Sequence, residues 1–136
     1  MRILVSLRIL GLLLTLFSIC LLPPLLLAVL ADDDTVNGFV SAFGVTLLSG
    51  AMLWLPLNHT RRELRIRDGF LVTALFWAGL GLFGALPFAL TESLQMQPID
   101  AIFESISGLT TSGATVMTGL DHTAQSILLY RHILQW

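Results

Sequence analysis

The chain has 136 residues, 55% of them hydrophobic and only 12% charged, with a mean hydropathy of +0.85, which excludes an ordinary soluble domain and points to a polytopic membrane protein. Its formal charge of −2 is too small to draw nucleic acid or an acidic partner. A single cysteine, Cys20, excludes an internal disulfide, and its place in an apolar run reads as lipid-facing or packed bulk.

Residues 3–22 are mostly apolar and long enough to cross a hydrocarbon core of ~30 Å once. Pro23 and Pro24, followed by apolar residues to Ala31, predict a kink near the outer end of this helix, because two backbone donors are missing there. A secretory signal competes for Arg2, Arg8 and Ala31, but its apolar core is confined to roughly 7 to 15 residues. Asp32, Asp33, Asp34 and Thr35 end the first crossing. Residues 38–57 form a second, with Trp54 at its far end, where interfacial aromatics gather. The basic run that follows holds Arg61, Arg62, Arg65 and Arg67. By the positive-inside rule this loop and the N-terminus are cytoplasmic, and the aspartate turn is outside. A cytoplasmic position makes the formal glycosylation acceptor Asn58, His59, Thr60 a coincidence.

A third crossing is predicted over 70–90, capped by Asp68 and Gly69 and closed near Pro87. Ala74, Ala78, Gly81 and Ala85 fall on one face of it and predict close approach of another helix, with Gly79 and Gly84 off the stripe. Residues 91–98 are then outside. A short amphipathic helix follows over 99–109, rising roughly 16 Å, about half the hydrocarbon core. It can enter a bilayer but not cross it, so the chain must turn back before Asp121. The last apolar run, 124–136, reaches only about 20 Å, and the sequence is expected to end within a fourth crossing. The fold expected is thus all-α: three transmembrane helices, a re-entrant helix with its loop, and the start of a fourth transmembrane helix.

The segment from 103 to 115 reads Phe-Glu-Ser-Ile-Ser-Gly-Leu-Thr-Thr-Ser-Gly-Ala-Thr. Irregular backbone at membrane depth is tolerated only where protein buries it or water bathes it, and a pore provides both. A dehydrated potassium ion needs several oxygen ligands, which backbone carbonyls in an extended turn supply. Thr110, Thr111, Ser112 and Gly113 have the required character: glycine opens otherwise closed backbone angles, and the hydroxyls tie the turn to its surroundings. Pro98 suits a helix start and Asp100 the positive end of its dipole, which leaves the partly negative end near Gly108 and Leu109 aimed inward, where it stabilises a cation.

The residues 67–70 (Arg-Asp-Gly-Phe), 85–87 (Ala-Leu-Pro), 100–115 and 129–136 resemble the N-terminal part of Trk-type potassium uptake proteins, and the likeness spans nearly the whole chain. Members of that family resemble four fused potassium-channel subunits, each a helix, a pore helix with filter loop, and a second helix, preceded in the Trk branch by two added helices. The resemblance implies that residues 1–66 carry the added pair and residues 67–136 the first repeat, truncated in its second helix. It places the filter at 110–114, with Gly113 as the filter glycine. In plant relatives glycine there accompanies potassium permeation, which implies potassium as the ion. It further implies a bacterial inner-membrane location, a homodimer of full-length chains, and a cytosolic nucleotide-binding regulatory subunit, TrkA-like. Membrane lipid is the other partner, equally able to engage the arginine loop. No covalently bound cofactor is expected; potassium is the transported ligand. The remaining filter loops, the gate loop and its arginine are not in this sequence, so conduction is expected to need more chain or more copies.

Glu104 and Arg131 are charges at membrane depth, which are costly and usually paired or functional. A structural pair between them predicts that reversing both charges restores expression lost in either single variant. His122 and His132 are read as one interfacial and one buried histidine, without metal-ligand spacing. An enzyme reading fails on its own motif: a serine nucleophile elbow needs glycine two places before the serine, where Ser105 and Thr110 stand before Ser107 and Ser112. The alternative function is a non-conducting membrane assembly protein, since small-residue helix faces serve assembly as well.

Overall fold

A computed structural model describes residues 3–59 and 66–136. Arg2 and, in the basic run, Arg61, Arg62 and Arg65 lie outside the described residues, as does Thr60 of the formal glycosylation acceptor. Among the described residues all regular structure is helical: α1 (Ile3–Cys20), α2 (Leu22–Ala31), α3 (Val36–Trp54), α4 (Ile66–Gly84), α5 (Leu86–Leu90), α6 (Pro98–Leu109) and α7 (Gln125–Gln135), with 3-10 turns at Glu92–Leu94 and Leu120–His122. Three stretches are long and apolar enough to cross a membrane, Ile3–Ala31, Val36–Trp54 and Ile66–Leu90. Leu30, Leu48 and Met52 on these stretches are largely exposed, as lipid-facing positions are.

The first crossing breaks at Leu21, where Pro23 and Pro24 give nothing back to the preceding turn and the chain tightens through Leu21 N–H to the Ser18 carbonyl at 3.1 Å. It ends on Asp32 in the left-handed region (φ 52°), whose N–H caps the Ala28 and Val29 carbonyls. α3 returns antiparallel along α1 at very short range. A Cβ on Gly11 would lie 2.7 Å from the Trp54 nitrogen, and one on Gly50 would lie 2.8 Å from the Thr15 nitrogen. The absence of side chains at these two positions is what sets the separation.

α4 contains Asp68 in its first turn instead of being capped by it, because a carboxylate suits the positive helix end from inside as well as from the cap. The helix breaks at Ala85, where Pro87 has no N–H for the Phe83 carbonyl, and α5 continues the crossing. The predicted small-residue stripe packs along half its length: Gly81 and Ala85 are buried, whereas Ala74 and Ala78 are exposed. α4 has two neighbours in different directions and meets each with glycine. Gly79 faces Leu10 of α1, while Gly81 and Gly84 face Ile106 and Ser105 of α6.

The buried core gathers where α7 meets α2, α3, α5 and α6. Tyr130 is fully buried there between Phe39 and Phe88, at ring-centroid distances of 5.6 and 5.2 Å. Its hydroxyl donates to the Gly84 carbonyl at 2.7 Å, right at the break between α4 and α5. At the mouth of the fold the Thr35 and Ser126 hydroxyls are 2.7 Å apart and tie the aspartate turn to the start of α7.

Candidate functional site

The site is built on α6. Pro98 occupies its first turn, where a missing N–H costs nothing, and Asp100 lies at the same positive end. The helix is wedged between α4 and α7 by small residues. Ser105 and Ile106 sit over Gly84 and Gly81, and a Cβ on Gly108 would lie 2.9 Å from the Leu134 Cβ. The opposite face, with Ile99 and Phe103, is exposed, and Ile106 is covered on the side of Gly81 only.

α6 stops abruptly. The Thr110 hydroxyl bonds back to the Ile106 carbonyl at 2.8 Å, the Thr111 N–H reaches the Gly108 carbonyl at 2.9 Å, and the Ser112 N–H reaches the Ser107 carbonyl at 3.1 Å. Thr111 (φ 57°) and Gly113 (φ 72°) both take the left-handed region. The chain thereby reverses within four residues, a turn that glycine makes without strain and threonine does not. The return path is held to the helix by side chains. Ser107 Oγ donates to the Ala114 carbonyl at 2.6 Å. Glu104 Oε1 then accepts from the Thr115 hydroxyl, the Val116 N–H at 2.7 Å and the Met117 N–H at 3.3 Å.

The second oxygen of the same carboxylate, Oε2, takes Arg131 Nε at 3.1 Å. The structure thus brings Glu104 and Arg131 together, with the Glu104 side chain 1% exposed and that of Arg131 14% exposed. The carboxylate has more duties than an ion pair, however. Reversing both charges would place an arginine against two backbone N–H groups, donor facing donor, so the simple exchange cannot reproduce this site.

Beyond Gly119 (φ 69°) and the turn Leu120–His122, the chain is back beside the residues preceding α6. A cleft of about 370 Å³ lies there, lined in part by Gln95, Met96, Asp100, Met117 and His122. Helix and return segment therefore start and finish at one end of the molecule, with the turn part-way along the bundle, where Gly113 lies near Gln135 of α7. Thr110, Thr111, Ser112 and Gly113 form that turn, and all four are exposed. Among the described residues no hydrogen bond is donated to any of their four carbonyl oxygens, whereas the Ala114 carbonyl is occupied by Ser107. A short row of uncommitted carbonyls on an accessible turn is an arrangement that can ligate a desolvated cation.

The structure does not bring the two histidines together. His122 lies in the turn at the cleft, and His132 is exposed on α7, not buried as expected, with Nδ1 2.6 Å from the Leu128 carbonyl. The eleven-residue α7 has too few buried positions to hide it: Ser126, Ile127, Tyr130 and Leu134 form its inner face, and 132 falls on the other side. Cys20 is exposed beside the break in the first crossing. Sequence reasoning missed Ser107, Thr115, Val116 and Met117 as parts of the site. Its one available signal was a serine in the last turn of a helix followed by a turn, within reach of the residues that come after.

Residues 36–136 match the family model described as TrkH, cation transport protein. The Trk system potassium uptake protein TrkH of Halomonas elongata is 55% identical over 130 residues, which are 96% of this chain and 27% of that protein. TrkH of Escherichia coli strain K12 is 48% identical over 129 residues, 95% of this chain and 27% of that protein. The crystal structure of the potassium transporter TrkH from Vibrio parahaemolyticus superposes with a TM-score of 0.93 at 48% identity, covering 100% of this chain and 29% of that one. The chain spans little more than a quarter of the length of these relatives.

Proposed function

The chain belongs to the TrkH family of cation transport proteins, and we propose that it supplies the first filter loop of a potassium uptake pathway, with the carbonyls of Thr110, Thr111, Ser112 and Gly113 as ion ligands. On this reading α6 is the pore helix. Its twelve residues rise about 18 Å, and Ser105 and Ile106 lie over Gly84 and Gly81 of the crossing Ile66–Leu90, which supports an end part-way through the hydrocarbon. The helix dipole then points its negative end toward the carbonyl row, where it favours a cation. Residues 67–136 act as one helix–loop–helix repeat and residues 1–66 as a flanking pair.

The single observation that carries this reading is the row of four carbonyls, without donors among the described residues, on a turn whose N–H groups and Thr110 and Ser112 hydroxyls are otherwise engaged. An assembly protein would use glycine contacts like those of Gly11 and Gly50, but would gain nothing from a half-length helix with a returning segment. We further infer a bacterial inner-membrane setting with the N-terminus in the cytoplasm, from Arg2, Arg8 and the basic run. A second copy and a cytosolic nucleotide-binding subunit belong to the same proposal, with the apolar side chains of Ile99 and Phe103 open to further protein.

The test is a chimera in which residues 1–136 replace the matching quarter of the Vibrio parahaemolyticus relative, expressed in bacteria without potassium uptake of their own. Growth on limiting potassium is expected, and Gly113→Arg should abolish it without loss of the protein from the membrane. Growth indifferent to Gly113→Arg would remove the filter assignment.

A further inference from the structure

We propose that Glu104 is a positioning residue that sets potassium selectivity: its carboxylate fixes the path of residues 110–117, and Arg131 fixes the carboxylate. This inference rests on the filter reading above and deepens it.

The geometry assigns the two carboxylate oxygens different tasks. Oε1 collects the Thr115 hydroxyl and the Val116 and Met117 N–H groups, all on the return segment. Among the described residues Oε2 pairs with Arg131 alone. A carboxylate this deeply buried would be strongly unfavourable if it had a cation alone or amides alone; with both, every lone-pair direction that matters is used and the bonds are charge-assisted. Among the described residues Glu104 makes no hydrogen bond to any of the four proposed ligands. It acts on them through the chain, because residues 110–113 are tethered at both ends. At one end the Thr110 and Ser112 N–H groups bind the Ile106 and Ser107 carbonyls; at the other, Ser107 Oγ holds the Ala114 carbonyl and Glu104 holds residues 115–117. Releasing the second tether lets the carbonyls change their spacing and number around the ion, the quantities on which discrimination between potassium and sodium depends. Arg131 has a second effect: it cancels the carboxylate charge behind the turn, so the ion is held by dipoles and not trapped by a full negative charge.

The variants Glu104→Gln and Arg131→Gln separate this from a merely structural pair. In the first, one end of the amide presents N–H to donors; in the second, the carboxylate loses its cation. In the double variant the two amides can bond to each other while the amide oxygen introduced at position 104 still accepts from 115–117, and no unpaired charge remains. In the chimera, preference for potassium over sodium should fall about tenfold or more in each single variant, the scale of one lost charge-assisted hydrogen bond. It should return to within about twofold in the double variant. Single variants that keep the preference and change only the amount of protein would overturn the proposal, as would a double variant no more selective than the singles. Should the single variants not accumulate, hydrogen exchange on the unsubstituted chimera decides: the Val116 N–H should exchange at least about tenfold more slowly than that of Gly119, and equal rates sink the clamp. Gly113→Arg run alongside distinguishes the two levels. Uptake that survives it removes the filter and the positioning role together, whereas uptake lost there with selectivity unmoved at Glu104 removes the positioning role alone.

Discussion

Single residues carry more of this architecture than their size suggests, and Tyr130 shows it plainly. Its ring fills the core between Phe39 and Phe88, and its hydroxyl supplies a donor where the crossing Ile66–Leu90 breaks. Tyr130→Phe keeps the packing and removes one buried hydrogen bond, so it should cost about 1 kcal/mol, seen as a lower unfolding midpoint in detergent or nanodiscs. Breaking the Glu104–Arg131 pair by Arg131→Met leaves a carboxylate without its cation and should cost about 3–5 kcal/mol, enough to lower the amount of folded protein several-fold in membranes. The reciprocal exchange Glu104→Arg with Arg131→Glu should fail to restore it, because no side chain at 104 would then accept the Val116 and Met117 N–H groups. Membrane abundance by immunoblot checks both.

At the scale of elements, helix contacts follow glycine more closely than they follow any stripe of small residues. Gly108→Ala would press a methyl group against Leu134 at 2.9 Å and should destabilise by about 1–3 kcal/mol, whereas Gly69→Ala meets nothing within 4 Å and should be neutral or stabilising. Thermal unfolding of the two variants side by side checks the contrast. The helices themselves were legible in the sequence: apolar run lengths marked three crossings, Pro23 and Pro24 marked a break and Pro98 a start, whereas Pro87, read as the close of the third crossing, is a break that α5 continues past. Residues 99–109 were expected as the short helix and Pro98–Leu109 is found. The angular arrangement was not legible. Whether Ala74 and Ala78 or Gly79 and Gly84 face protein depends on where α1 and α6 stand around α4, which no local pattern records.

For the molecule as a whole, the arrangement is a bundle of crossings holding a helix that enters and returns at the same end. Composition alone establishes the membrane, but the grip of Glu104 and Ser107 on residues 112–117 arises only because the return segment runs antiparallel to α6. That juxtaposition is invisible until the path is known, while the turn residues themselves declare their character by type. The proposed orientation, with the N-terminus in the cytoplasm, predicts labelling of introduced cysteines from one side only. With Cys20 replaced, cysteine at Asp32 or Asp121 should react with an impermeant reagent from outside, and cysteine at Asn58 only after the membrane is opened. The most direct measurement is anomalous scattering from rubidium in crystals of the chimera. The account predicts a peak within direct coordination range of the carbonyl oxygens of Thr110, Thr111, Ser112 and Gly113; rubidium bound elsewhere along the pathway, with that turn unoccupied, would contradict it.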